Sequence, residues 1–159
     1  MSPRLNPAQV STPLYRAFLG FSTTIAGSAI EQSLSDLVHI RASQINGCAF
    51  CLDMHVKEAT IHGERPLRLH HVAIWRESPL FSDRERAGLE WTEALTTLGK
   101  HGVPDDIYEA VRAQFSEQEI SDLTFDVMAI NGWNRLNIAF QGVPGSADAL
   151  LGLTKAGLS

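Results

Sequence analysis

Apolar positions in this chain recur at intervals of three and four residues almost from end to end, and no stretch alternates apolar and polar residues between hairpin turns. The pattern predicts an all-α protein. Thr12-Pro13 opens a first helix, with proline at the first helical position, where its missing N–H costs nothing. This helix is expected to turn Leu14, Phe18 and Leu19 inward and to fade near Gly27. Ser33 with Asp36 reads as a capping-box start for a second helix carrying Leu37, Ile40 and Arg41 to about Ile45. Asn46-Gly47 then breaks the pattern. Asn46 is the candidate N-cap of a third helix that holds Cys48, Cys51, Leu52, His55 and Ala59 and ends near His62-Gly63.

A fourth helix is expected from Arg65-Pro66 through Val72 and Trp75 to the Ser78-Pro79 break. Ser82 with Glu85 opens a fifth, from Asp83 to about Leu98, which carries Leu89, Trp91 and Leu95. Pro104 begins a short helix with Tyr108 and Val111, and Ser116 with Glu119 opens a long one through Leu123, Val127, Ile130, Trp133 and Leu136. That makes about seven helices. After the Gly142 to Gly145 loop, the tail from about 146 to 159 is expected either to form one more amphipathic helix or to extend as an arm onto a neighbouring subunit. No composition break, repeat or low-complexity tract divides residues 1–159, so a single helical domain is expected.

Composition narrows the function rather than the fold. The 159 residues are 44% hydrophobic and 19% charged, as in a globular domain. A chain of this size buries roughly 68–70% of its unfolded surface, so neither disulfide staples nor a structural metal is required for stability. The formal charge is −5 and the 13 basic residues are scattered, which speaks against nucleic-acid or anionic-lipid partners. Met1-Ser2-Pro3-Arg4 leads into polar text without an apolar leader, and no apolar run reaches the length of a membrane span. A cytoplasmic location is therefore the expectation. In that reducing compartment a close cysteine pair is redox-active or metal-binding more often than a structural bridge.

Cys48, Cys51 and His55 stand at i, i+3 and i+7, so a helix puts all three on one face. A thiol in the first turn lies near unpaired backbone N–H groups and the positive end of the helix dipole, which favour thiolate. His55, one turn beyond Cys51, is placed to take that thiol's proton or to hold the thiolate as an ion pair. The spacing also permits an intrahelical disulfide. Two other readings remain open at this level. The cysteines could be small core residues, or Cys-x2-Cys with His55 could supply three zinc ligands, with no convincing fourth in the sequence. His70-His71 reads as one exposed and one half-buried histidine, since neighbours on a helix point about 100° apart.

The run from Asp36 through His39, Arg41, Gln44, Asn46, Cys48, Phe50, Cys51 and Asp53 to His55 resembles the core motif of the carboxymuconolactone decarboxylase and alkylhydroperoxidase D superfamily. Its nearest likeness is to the small peroxidase-like members. Trp91-Thr92-Glu93-Ala94-Leu95 and Ile130-Asn131-Gly132-Trp133-Asn134-Arg135-Leu136 resemble the same branch, so the similarity covers roughly residues 10–140.

The resemblance implies an alkylhydroperoxidase D-like helical bundle. It also implies a division of labour in which Cys51 attacks peroxide, Cys48 resolves the product and faces the reductant, and His55 is the histidine beside the nucleophile. The family's acidic relay residue, usually glutamate twelve positions before the first cysteine, falls on Asp36, one methylene shorter, so a direct contact is expected to become water-bridged. Asp36 could equally cap its helix. Phe50 stands where the family's best-known peroxidase has an additional histidine, which makes the pocket more apolar. The decarboxylase branch lacks the cysteine pair.

Arg41 is a candidate partner for a carboxylate near the site or a solvated side chain. Gln44 and Asn46 either steer peroxide or cap the helix junction, and Trp133, Asn134 and Arg135 read first as packing or interface residues. The expectation is a thiol peroxidase that reduces a small hydroperoxide through a dithiol/disulfide cycle. It would use no metal or organic cofactor, draw electrons from a lipoyl- or thioredoxin-type reductant, and assemble as a homo-oligomer, a trimer or hexamer by family likeness. A general disulfide oxidoreductase and a non-catalytic redox-sensing or partner-binding module are the alternatives.

Overall fold

The computed structural model describes residues 2–158; Met1 at the start of the polar leader text and Ser159 at the end of the tail lie outside the described residues. Those residues form helices α1 (Pro7–Val10), α2 (Thr12–Ile25), α3 (Gln32–Asn46), α4 (Ala49–Ile61), α5 (Pro66–His71), α6 (Asp83–Thr96), α7 (Asp105–Arg112), α8 (Glu117–Phe140) and α9 (Asp148–Leu151), with 3-10 turns at Val72–Glu77 and Leu153–Ala156. Among the described residues there is no strand, only an isolated bridge between Gly99 and Gly102. The all-α expectation holds. Among the described residues no helix is long and apolar enough to cross a membrane.

Helix α3 is the axis of the molecule and packs against α4, α6 and α8. Its apolar positions split between two cores. Leu34 and Val38 join Trp91, Val111, Phe115, Leu123 and Val127, while Leu37 and Ile40 join Ala59, Val72, Trp75, Phe81 and Leu89. A third small cluster at the end of α3 holds Ala42, Cys48, Cys51 and Ile130. With both faces of α3 buried, its polar side chains at 36, 39 and 43 must find partners inside the protein.

The two strongest start signals are realised. Ser82 and Glu85 form a reciprocal capping box on α6, and Ser116 and Glu119 form one on α8. Three expectations need correction. Helix α2 starts at Thr12 but buries no residue, and Leu14 and Leu19 are exposed. It lies on the outside of α8 by its aromatic side, with Phe18 against Trp133 at 4.6 Å between ring centroids. A Cβ at Gly132 would come within 2.5 Å of the Phe18 ring, so glycine permits this crossing. Ser33 and Asp36 do not form the box that opens α3, because the helix begins at Gln32 with Glu31 as N-cap. The fourth helix stops at His71 and passes into a 3-10 turn kinked at Ile74 (φ −121°, ψ 28°).

The tail folds back on its own chain. Lys57 Nζ donates to Asp148 at 2.7 Å and to Asp53 at 2.9 Å, and Leu153 is buried against α4. The hydrogen bonds to Asp148 and then Asp53 hold the Lys57 ammonium above its ordinary value. The N-terminal segment is tied down likewise, with Arg4 N–H donating to the Phe140 carbonyl at 2.9 Å.

Candidate active site

The junction between α3 and α4 is made by backbone conformation first. Gly47 ends α3 in the left-handed region at φ 70°, and the chain re-enters a helix two residues later. Cys48 therefore takes the N-cap position expected for Asn46, and its Sγ accepts from the Cys51 N–H at 3.3 Å. Asn46 instead closes α3 and donates to the Asn134 and Asn131 side chains at 2.8 and 3.0 Å. Asn134, fully buried, donates onward to Ser43 at 3.0 Å. This amide ladder fastens the Gly47 turn to α8. Asn134→Ala should cost about 1–3 kcal/mol, since it strips a buried hydroxyl and amide of partners; urea unfolding of the oxidised protein measures it.

Cys48 and Cys51 are joined as a disulfide with Cα atoms 5.4 Å apart, and both residues are almost fully buried. Cys51, not Cys48, borders a cavity of about 640 Å³ whose walls include Tyr15, Leu19, Phe50, Met54, Trp133 and Phe140. Trp133 is fixed there by its indole N–H, which donates to Ser22 at 2.8 Å, and by Tyr15 edge-on. Residues from the N-terminal segment and the tail, Leu5 and Leu151 among them, complete the walls.

His55 borders the same cavity one turn below Cys51. Its Nδ1 pairs with Glu58 at 2.7 Å, so with Nδ1–H donating to that carboxylate, Nε2 is left as the acceptor. Burial depresses the His55 pKa, and the neighbouring His39 depresses it further, against the opposing pull of Glu58. Burial would raise the Glu58 carboxyl, but the hydrogen bond and charge of His55 bring it below the ordinary range. The stripe Cys51, His55, Glu58 is one helical face at i, i+4 and i+7.

A second acid–imidazole pair stands opposite on α3 and α8. His39 Nε2 meets Asp126 Oδ1 at 2.7 Å, and Ser35 donates to Asp126 Oδ2 at 2.8 Å. The two imidazoles are in contact, with ring centroids 4.6 Å apart. Sequence reasoning gave His39, Glu58, Asp126 and Ser35 no role. Glu58 carried a local signal, three residues beyond His55; the pairing of His39 with Asp126 spans 87 residues and has none.

Asp36 is buried but does not border the cavity. One carboxylate oxygen accepts from Gln32 at 2.9 Å and the other pairs with His62 at 2.8 Å. It makes no hydrogen bond with His55 and acts on both site imidazoles through charge alone. Arg41 pairs at 2.6 Å with Glu93, which also takes the Trp75 N–H and is therefore part of an ion cluster on α6 rather than of the site. Gln44 accepts from Arg41. His70 is exposed and His71 half-buried on Ser78. Among the described residues no group of three or more histidine, cysteine or acidic side chains is arranged to hold a metal.

Residues 12–94, more than half of the chain and including the cysteine pair, match the carboxymuconolactone decarboxylase family. The chain belongs to that family. Within it, an uncharacterized Bacillus subtilis protein, YdfG, is 34% identical over 87% of this chain and 95% of its own length. A crystal structure from Agrobacterium tumefaciens, of a protein of unknown function suggested to be the antioxidant-defence protein AhpD, superposes with a TM-score of 0.87 at 39% identity. It covers 90% of this chain and 98% of that one. A peroxidase-related protein from Ralstonia eutropha with an alkylhydroperoxidase AhpD core shares the fold, with a TM-score of 0.78 at 20% identity over 92% of this chain and 78% of its own. The fold is thus AhpD-like.

Proposed function

We propose that the protein is a cysteine-based peroxidase that reduces organic hydroperoxides through the Cys48–Cys51 dithiol/disulfide couple. The observation that carries this reading is the placement of Cys51. It alone of the two sulfurs borders the cavity, beside an imidazole whose free nitrogen is an acceptor, while its disulfide partner sits at the N-cap behind it. In the reduced protein neutral His55 takes the Cys51 proton, and the thiolate attacks the terminal peroxide oxygen. The O–O bond breaks to give Cys51 sulfenic acid and an alcohol. Cys48 then displaces water from that sulfenic acid and restores the disulfide, which a dithiol reduces. The largely apolar walls favour an organic substituent on the peroxide over hydrogen peroxide itself.

Asp36 serves this chemistry as a positioning charge. Apolar side chains left on the outside of α2 and α8, among them Leu14, Phe125 and Met128, suit assembly with further copies. Antioxidant-defence and peroxidase-related descriptions of the structural relatives agree with the reading. A general disulfide oxidoreductase would use the same cysteine pair without peroxide, and it leaves the apolar cavity beside Cys51 without a role. Turnover separates the possibilities: consumption of cumene hydroperoxide driven by a lipoyl or thioredoxin dithiol supports the peroxidase, and dithiol-dependent reduction of disulfides with no peroxide consumption refutes it.

A further inference from the structure

The cavity holds a second polar assembly that the cysteine chemistry above leaves unused. His39, Asp126 and Ser35 border the same cavity as Cys51 and His55. Asp126 is nearly buried at 4% side-chain exposure, whereas His39 retains 21%, and its ring faces the cavity. Burying a carboxylate costs several kcal/mol unless it is paired and hydrogen-bonded. Here both oxygens are satisfied, by His39 and Ser35. With Nε2 held on Asp126, Nδ1 is the remaining proton site of His39 and makes no hydrogen bond to a protein group among the described residues.

We propose, resting on the peroxidase reading, that His39 is the general acid of the reaction, delivering a proton from Nδ1 to the departing alkoxide, with Asp126 and Ser35 as its positioning residues. As the Cys51 thiolate takes the terminal oxygen, the O–O electron pair leaves on the alkyl-bearing oxygen and the His39 proton neutralises that alkoxide as an alcohol. Protons balance across the two rings. One enters His55 from the Cys51 thiol and one leaves His39 for the alkoxide, so return of one proton from His55 to His39 through solvent resets the pair. Overall, Cys51 thiol plus hydroperoxide gives sulfenic acid plus alcohol.

The electrostatics divide the two histidines in the sense the roles require. Burial would push the His39 pKa down, but the charge and hydrogen bond of Asp126, helped by Glu58 and Asp36, leave it raised. Burial and His39 leave His55 lowered despite Glu58 and Asp36. Burial likewise would raise Asp126, which the charge and hydrogen bond of His39 and the Ser35 hydroxyl turn into a lowering. An imidazolium at His39 and a neutral imidazole at His55 are an acid and a base held apart by environment. His39 must be protonated to act, so alkyl-hydroperoxide rates should fall as pH rises through its raised pKa.

The test compares cumene hydroperoxide, whose alkoxide leaving group needs a proton, with an aryl peroxyacid of similar size, whose carboxylate leaving group does not. His39→Gln is expected to slow oxidation of the reduced protein by cumene hydroperoxide by about 10²–10⁴-fold. The peroxyacid rate and the alkylation of Cys51 by iodoacetamide should be little changed, and these two arms also show that the nucleophile is intact. Asp126→Asn should move the falling limb of the cumene hydroperoxide profile to lower pH. Equal losses with both oxidants, parallel loss of alkylation, or an unmoved limb in Asp126→Asn overturn the proposal. If unsubstituted protein consumes neither oxidant, the peroxidase reading itself falls and this role with it.

Discussion

Replacing Cys51 with serine should abolish hydroperoxide consumption, while Cys48→Ser should oxidise once per chain and stop at the sulfenic acid. The asymmetry follows from placement. Cys51 borders the cavity and has His55 one turn away, whereas Cys48 caps α4 and touches the site only through the disulfide. Without Cys51 no thiolate faces the peroxide. Without Cys48 no thiol is within reach to condense with the sulfenic acid, so the cycle cannot close. Mass spectrometry of the peroxide-treated Cys48→Ser protein should find one added oxygen on Cys51, trapped by a sulfenic-acid reagent. Full turnover in Cys51→Ser with a dead Cys48→Ser would reverse the two roles.

The second large effect is expected at His55, set against Asp36. His55→Ala removes the group that takes the Cys51 proton and should slow peroxide reaction and Cys51 alkylation by about 10²–10⁴-fold, the usual range for general-base loss. Asp36→Asn should lose clearly less, because the carboxylate is bonded to Gln32 and His62 and reaches the imidazoles only as a charge. The pH dependence gives the sign. His55 must be neutral to accept the proton, and its pKa is lowered by burial and by His39. Activity should therefore persist below pH 6.5, the ordinary histidine value, before falling as His55 becomes protonated. Stopped-flow alkylation of the reduced Cys48→Ser protein across pH measures both. A loss in Asp36→Asn equal to that in His55→Ala would make the aspartate the primary relay.

Local signals carried most of what the chain discloses about itself. The Ser82/Glu85 and Ser116/Glu119 boxes are formed even though Arg68 and Arg84 also pair with these glutamates, because one carboxylate oxygen takes the cap N–H while the other takes the guanidinium. The same logic failed at Asp36, where a buried position gave the carboxylate better partners in Gln32 and His62 than a cap could offer. It failed at Asn46, where Gly47 ended one helix and left Cys48 to begin the next. Leu14 and Leu19 follow a helical period, but periodicity only says that a face is apolar, not that this chain covers it.

The site shows the same division. Cys48, Cys51, His55 and, in principle, Glu58 are one stripe of a single helix and could be read from spacing. His39 and Asp126 meet only because α8 crosses α3, a consequence of packing that no local pattern encodes. Trp133 likewise gains a place in the cavity wall through α2, whose Tyr15 and Ser22 fix its ring.

The central claim, that Cys51 and Cys48 together reduce a hydroperoxide, is tested most directly by titrating the fully reduced protein with cumene hydroperoxide in the absence of any other reductant. The account predicts that each equivalent of peroxide consumes two thiols, yields one equivalent of cumyl alcohol, and leaves the Cys48–Cys51 disulfide in the peptide map. Thiols that survive excess peroxide, or peroxide loss that leaves both cysteines reduced, would contradict it.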